Sequence, residues 1–513
     1  MQRKAWLAAL ILAAMLPVGI TSALFKALAA EMAASNGVSS DELSYLNIAF
    51  SAAQLIALLA APFIVRCVSV MRTLRVSLIM AALCQVVFAC AHQSPELHGA
   101  AWVVVGVCVS LITLSINLLI LDQCSYRAMT LFAALVLICS TLLPMGGYPW
   151  FLTWLVTHVE WQWLTYPLAG SWLFAAAISY HLTLCQPFAR TQKSHVLAYV
   201  LSAIALVGLV YLMMRGSYYN WFDDPRFEYA MLGVVVIALL AMGWMQASQK
   251  NGPTSSRTLL TNLHNNVFMY NGFLAGFGVT ASGALMTLFL TSVLNYSHET
   301  AGFVQLPALL AMVVGMIISV AASNQDRFPS DILTPIGVVM LVISVVMFSR
   351  LPAYVGPDDV LLPICLRGLG VGLLNVSVTI AMLAHFRHDQ RPEGISIFYV
   401  CRTLGGVLGS ALFTRLLQVT RTESMTDLTR ELGADPAAFY TQSTQQLLLA
   451  QGHLPSGTLN ATLMQQTVSQ QVIVSALGNT FLWFVIAIAF MAPIILVGKK
   501  MVKKRANANA SHN

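Results

Sequence analysis

The chain is poor in charge. Only 9 % of its 513 residues are Asp, Glu, Lys or Arg, against 58 % hydrophobic, which excludes an ordinary soluble globule. Acid is absent from the middle of every long apolar stretch, because all 20 Asp and Glu lie outside those stretches or at their ends. No GxxxxGK[ST] loop occurs, so the chain does not draw energy from nucleotide hydrolysis of its own. No CxxC pair occurs among the 9 cysteines, and none of them sits in a long outer loop. They read as small packing residues, which argues against a disulfide framework or a thiolate metal site. Period-two alternation is missing too, and with it the signature of a membrane β-barrel. The net charge of +7 comes from short loops and a tail of Lys499, Lys500, Lys503, Lys504 and Arg505. A basic flank after an apolar stretch is a membrane-topology signal and does not point to nucleic acid.

What remains is helix for a bilayer. Apolar stretches fall at roughly 6–30, 44–65, 76–93, 100–121, 128–149, 163–184, 196–214, 229–247, 267–291, 301–322, 332–349, 360–384, 395–418 and 471–497. About 20 residues at 1.5 Å each cross a hydrocarbon core of ~30 Å. The first stretch is too long for a signal-peptide core and is expected to be a retained span. Fourteen crossings with the first residue inside put both termini in the cytoplasm. The loop cations then divide 18 inside to 5 outside, the expected bias. The inner loop 248–266, with its Gly-Pro and serines, reads as a linker dividing eight spans from six. The outer segment 420–470 carries three stretches that could form amphipathic helices, 423–432, 436–451 and 459–471, with Asp435 as N-cap before Pro436. Two readings stay open for it. One is a solvated cap; the other is a docking surface for a periplasmic adaptor that would lead to an outer-membrane channel.

Cations break the rule that acids obey. Lys26, Arg367 and Arg402 lie within apolar runs, and Arg415 lies near the end of one. A charge in mid-membrane costs roughly 2.5–3.5 kcal/mol on insertion scales, so such residues face a bundle interior or a wet cavity. Arginine stays protonated and cannot carry a proton through a cycle, whereas a desolvated lysine can. The titratable groups left for coupling are Lys26, Glu31, Asp122 and His181, with His385 at a cytoplasmic end. Groups that could line a pathway include Asn117, Asn271, Gln305 and Asn375, and the aromatic Trp163 and Tyr399 could stack on a ligand. Small residues four apart, such as Gly272/Gly276, Gly368/Gly372 and Gly405/Gly409, let helices approach closely, either as static packing or as sliding surfaces.

Several stretches resemble the major facilitator superfamily, and within it the fourteen-helix drug:proton antiporter branch of the EmrB/QacA type. In LLPMGGYPWFLTWLVTHVEWQWLTYPLAG (142–170), Gly146, Gly147, Trp161, Trp163, Pro167 and Gly170 match that branch. YLMMRGSYYNWF (211–222), the region 266–307 and CRTLGGVLGSALFTRLL (401–417) are also similar to it. The resemblance implies an all-α major facilitator fold. Residues 1–190 form one six-helix bundle, 191–250 two linker transmembrane helices, 251–266 a cytoplasmic linker and 267–513 the second bundle. It implies no cofactor. Departures accompany the matches. In APFIVRCVSVMRTLR (61–75) the family's gating loop keeps Arg66 and Arg72 but has Val65 where the family has an acid. In GITSALFKAL (19–28), Gly19 stands where the family has Asp, and Lys26 appears. WVVVG (102–106) lacks the family's arginine.

The expected function is secondary active export of small amphipathic compounds across a bacterial inner membrane. Proton entry is expected to drive it, and the buried cations point to a substrate with an anionic group. A transport-inactive membrane sensor or scaffold is the alternative. A membrane enzyme is a third class, for which the cluster His385, His388 and Asp389 is the best candidate, and no nucleophile elbow or Gly-rich loop accompanies it.

Overall fold

A computed structural model of the chain describes residues 2–37, 39–91, 94–183, 188, 196–248, 262–325, 332–352, 355–434 and 457–510. Regular structure among them is helical throughout. The first group of helices is α1 (Gln2–Asn36), α2 (Ser40–Val68), α3 (Val70–Cys90), α4 (Pro95–Gln123), a broken fifth pass and α8 (Trp161–Ser179). The fifth pass is α5 (Tyr126–Leu137), a π turn (Ile138–Leu142), α6 (Leu143–Gly146) and α7 (Tyr148–His158). Next come α9 (Val196–Arg215) and α10 (Pro225–Ser248). The second group opens with α11 (Leu263–Leu288), closed by a second π turn (Phe289–Val293). It continues with α12 (His298–Val304), α13 (Leu306–Ser323), α14 (Leu333–Ser349), α15 (Pro357–His385), α16 (Arg391–Ala434) and α17 (Gly457–Ala510).

Local chemistry sets the boundaries. A reciprocal cap starts α2: the Ser39 hydroxyl accepts from the Glu42 amide at 3.1 Å, and the Glu42 carboxylate accepts from the Ser39 amide at 2.9 Å. One residue, Ser69, turns the chain from α2 into α3 at φ 88°. Prolines sit at the first turns of α4, α7, α13 and α15, where the missing N–H removes no helical bond. Among the described residues, twelve helical passes are long and apolar enough to cross a membrane. Two helices packed among them fall outside that measure: α14, apolar but of 17 residues, and α8, rich in Trp and Tyr. The expected fourteen stretches correspond to these twelve with those two.

Packing within the second group is backbone against backbone. A Cβ on Gly276 would collide with the carbonyl oxygen of Arg402, and one on Gly405 with that of Phe273, so α11 and α16 touch directly. Gly368 and Gly372 do the same for α15 against Ala308 and Met312 of α13. Contacts between the groups run mainly through α2 with α16 and α7 with α12. Helix α9 packs on α2 and α16 and carries α10, which is mostly exposed.

The start of α1, the end of α4 and the residues after α8 meet at one face, called here the terminal face. Arg3 and Gln123 both reach Thr183 there, at 2.9 Å each, and Arg391 donates to the Leu121 carbonyl. At the opposite, far face two of the three short helices expected in 420–470 are not separate elements. The stretch 423–432 is the continuation of α16, and 459–471 belongs to α17. Residues 436–451, with Asp435 and Pro436, lie outside the described residues. With 44 residues, α16 extends for about 66 Å, well past a hydrocarbon core of ~30 Å. Thr420 pairs with Thr480 at 3.0 Å and Ser424 with Ser475 at 3.4 Å, so α16 and α17 run side by side out of the far face.

Candidate functional site

A cavity of about 710 Å³ lies between the two helix groups. Helices α1, α2, α4 and the broken fifth pass wall one side, and α11, α12, α15 and α16 wall the other. Met214 of α9 closes part of the seam between α2 and α16. The lining runs from mid-helix positions toward the far face, where His298 begins α12. The described lining residues include Arg367, Arg402 and His298 but no Asp or Glu.

Each arginine is held by polar atoms. Arg367, 1 % exposed, donates from Nε to the Ser282 hydroxyl at 3.2 Å and from a terminal nitrogen to the Val279 carbonyl at 3.4 Å. Gly283 makes room for it, since a Cβ there would lie 2.7 Å from the guanidinium. Arg402 is half-buried and donates to Asn375 Oδ1 at 2.7 Å and to the Thr379 hydroxyl at 3.3 Å. These hydrogen bonds to neutral partners orient the guanidinium planes and leave their charge uncancelled. Behind Arg402, Tyr399 accepts from Asn117 Nδ2 at 3.2 Å, a bond that joins α4 to α16.

Among the other expected pathway residues, Gln305 lines the cavity, with its amide nitrogen on the Ala301 carbonyl at 3.1 Å. Asn271 is buried on α11 outside the lining, and its Oδ1 has no hydrogen-bond partner. Trp163 is elsewhere: it is 62 % exposed on the outer surface of α8, with its ring 5.8 Å from Tyr166. Pro167 is on that same exposed side. Lys26 belongs to α1 between the lining residues Phe25 and Ala27, and its side chain lies outside the described residues. Glu31 is half-buried a turn further along α1. Asp122 occupies the last turn of α4 at the terminal face. His181 is not inside a span. Helix α8 ends at Ser179, and the exposed His181 ring stacks on Trp6 at 4.6 Å.

The terminal face is closed by a charged clasp. Arg66 of α2 grips Glu393 of α16 with both ends of its guanidinium, Nε to Oε1 at 2.6 Å and a terminal nitrogen to Oε2 at 2.8 Å. The same guanidinium meets the Asp389 carbonyl, and Ser396 of α16 meets the Leu58 carbonyl of α2. Glu393 is the only buried carboxylate among the described residues. Arg72, the other gating candidate, is exposed, and Arg75 does the holding instead, with its guanidinium 4.3 Å from the Tyr180 ring centre. Gly146 and Gly147 lie where the two groups meet nearer the far face; a Cβ on Gly146 would be 3.0 Å from Cβ of Leu309.

Three features were not legible beforehand. Glu393 falls between the apolar stretches 360–384 and 395–418, and its partner lies 327 residues away. His298 falls between the apolar stretches 267–291 and 301–322. Gly19 read as a lost acid, and the structure supplies the steric reason: a Cβ there would collide with the carbonyl oxygen of Cys139 in the first π turn. No side chain fits between α1 and that turn. The signal available was the coincidence of a glycine with the family's Asp position.

Known proteins share this architecture. Residues 10–410 match the family model of the Major Facilitator Superfamily. The chain is 24 % identical over 239 residues to the MFS-type transporter clz4 of Cochliobolus lunatus, covering 46 % of this chain and 42 % of that one. It is 24 % identical over 360 residues to the multidrug export protein EmrB of Haemophilus influenzae, covering 67 % and 66 %. The crystal structure of the human organic anion transporter MFSD10 superposes with a TM-score of 0.58 at 10 % identity, over 94 % of this chain and 99 % of that one.

Proposed function

The chain belongs to the Major Facilitator Superfamily, a family of transporters and not of enzymes, and we propose that it is a secondary active exporter of small amphipathic compounds bearing an anionic group. The observation that carries this reading is the cavity between the bundles, with two fixed guanidinium groups and no carboxylate among its described walls. A buried charge without a counter-ion is costly, and an anionic ligand offsets that cost when it binds. The Arg66–Glu393 clasp supports an alternating-access cycle: it seals the terminal face here and has to part for loading from that side.

The remaining details belong to the same proposal. The chain makes fourteen crossings in the manner of the EmrB/QacA branch, with bundles at 1–190 and 267–513, two linker helices in 191–250 and a linker at 251–266. It sits in a bacterial inner membrane with the terminal face cytoplasmic, as the loop charges favour. Protons drive export through Lys26. Of Lys26, Glu31, Asp122 and His181, only Lys26 lies on the stretch of α1 whose neighbours line the cavity. A periplasmic adaptor, and beyond it an outer-membrane channel, would meet the α16–α17 projection.

The test is transport in proteoliposomes under an imposed pH gradient. An anionic dye should move against proton entry, and Lys26→Ala should abolish the dependence on the gradient. Equal transport with and without the gradient removes proton coupling; no transport of any dye removes the exporter.

A further inference from the structure

We propose, resting on the export reading above, that the cavity is built for a ligand with two unlike ends: an organic anion whose body carries several hydrogen-bond donors, such as hydroxyl or amino groups. The two walls of the cavity differ in chemistry. Fixed positive charge comes from the second bundle alone among the described lining residues, through Arg367 and Arg402. Guanidinium groups only donate. The facing wall contributes hydroxyls, and five of them have their hydrogens already committed. Ser22 donates to the Val18 carbonyl, Thr113 to Val109, Ser140 to Val136 and Thr153 to Pro149, each at 2.8 Å. Ser110 donates to the Gln54 carbonyl at 3.0 Å.

A hydroxyl has one hydrogen and two lone pairs, so a hydroxyl bonded back to a helix carbonyl can only accept from a ligand. Such back-bonding is a common habit of Ser and Thr in helices. Its placement is what matters here, because all five residues line the cavity opposite the arginines. Among the described lining residues, fixed charge therefore stands on one wall, and five committed acceptors, beside the side-chain amides of Asn47 and Gln54, stand on the other. A ligand with a carboxylate, sulfonate or phosphate at one end and O–H or N–H groups along its body satisfies both walls. An anion without donors leaves the hydroxyl oxygens dry, and a lipophilic cation meets two guanidinium groups. Unpaired polar groups in a closed site cost more than paired ones return, so the discrimination should be large. A volume of about 710 Å³ suits a ligand the size of an aryl glycoside.

Binding to the purified full-length chain tests this with four probes: 4-nitrophenyl β-D-glucuronide, its sugar O-methyl ether, 4-nitrophenyl β-D-glucoside and tetraphenylphosphonium. The glucuronide carries both anion and donors, the ether only the anion, and the glucoside only the donors. The glucuronide should bind about tenfold tighter than the ether or the glucoside, with tetraphenylphosphonium weakest. Arg402→Gln should close the gap between glucuronide and glucoside. Thr113→Val should close the gap between glucuronide and ether while leaving the glucoside comparison with Arg402→Gln intact. Ser22→Ala repeats the wall test on α1 should Thr113→Val fail to fold. Equal binding of glucuronide and ether, tighter binding of tetraphenylphosphonium, or binding of none of the four overturns the two-ended site. Glucuronide that binds with the expected ranking but does not move in proteoliposomes overturns export instead and leaves the binding inference standing.

Discussion

Buried arginine occurs in two settings in this molecule. At the terminal face Arg66 has a carboxylate of its own, Glu393, in a two-point grip across the bundles. In the cavity the described partners of Arg367 and Arg402 are hydroxyls, an amide, a carbonyl and the Met286 sulfur, all neutral. Paired charge is self-sufficient and serves to hold two helices together. Charge satisfied in its hydrogen bonds but not in its sign remains attractive to a ligand. The same residue type thus reads as a clasp in one place and as a binding element in the other, and the nearest carboxylate decides which.

Substitutions can break that comparison at either end. The largest effect is expected from Arg66→Ala, which strands Glu393 at the interface. Breaking a buried pair from one side costs about 3–5 kcal/mol, and thermal melting should show the loss. Glu393→Gln should open the terminal face to thiol reagents placed on that side, and the exchanged pair Arg66→Glu with Glu393→Arg should reseal it. Arg402→Gln should leave folding nearly intact and weaken anion binding by about 1.5–3 kcal/mol, read directly as affinity. A loss of folding as large as that of Arg66→Ala would mean that Arg402 is structural after all. Gly19→Ala sharpens the comparison from a third side. It overpacks the α1 contact with the π turn, at a cost of about 1–3 kcal/mol in melting, and so explains why no acid can stand there. Trp163→Ala should be the mildest, changing neither transport nor stability by more than about 0.5 kcal/mol, since its ring is 62 % exposed on the outside of α8.

Much of the fold was legible because a bilayer imposes simple rules. Apolar length marked the passes. The cations of the cavity were legible for a related reason: charge is so scarce in the spans that each exception stands out. What could not be read was direction and partnership. Trp163 and Tyr399 both looked available for stacking, yet only Tyr399 faces inward, because helices that are apolar all round show no polar side to mark their outer face. His181 falls in the expected stretch 163–184, which overruns the end of α8 at Ser179 by five residues. Nothing local in the sequence links residue 393 to residue 66. The α16 projection was read as a short separate helix because its residues beyond the bilayer are polar and lose the apolar signal that marks the rest of the helix.

The unpaired positive charge of the cavity is tested most directly by transport in proteoliposomes of two size-matched fluorescent dyes, one anionic and one a lipophilic cation, with the wild-type chain and Arg402→Gln side by side. The wild type should move the anionic dye in preference, and the variant should lose that preference. Preferential movement of the lipophilic cation by the wild type would contradict the account.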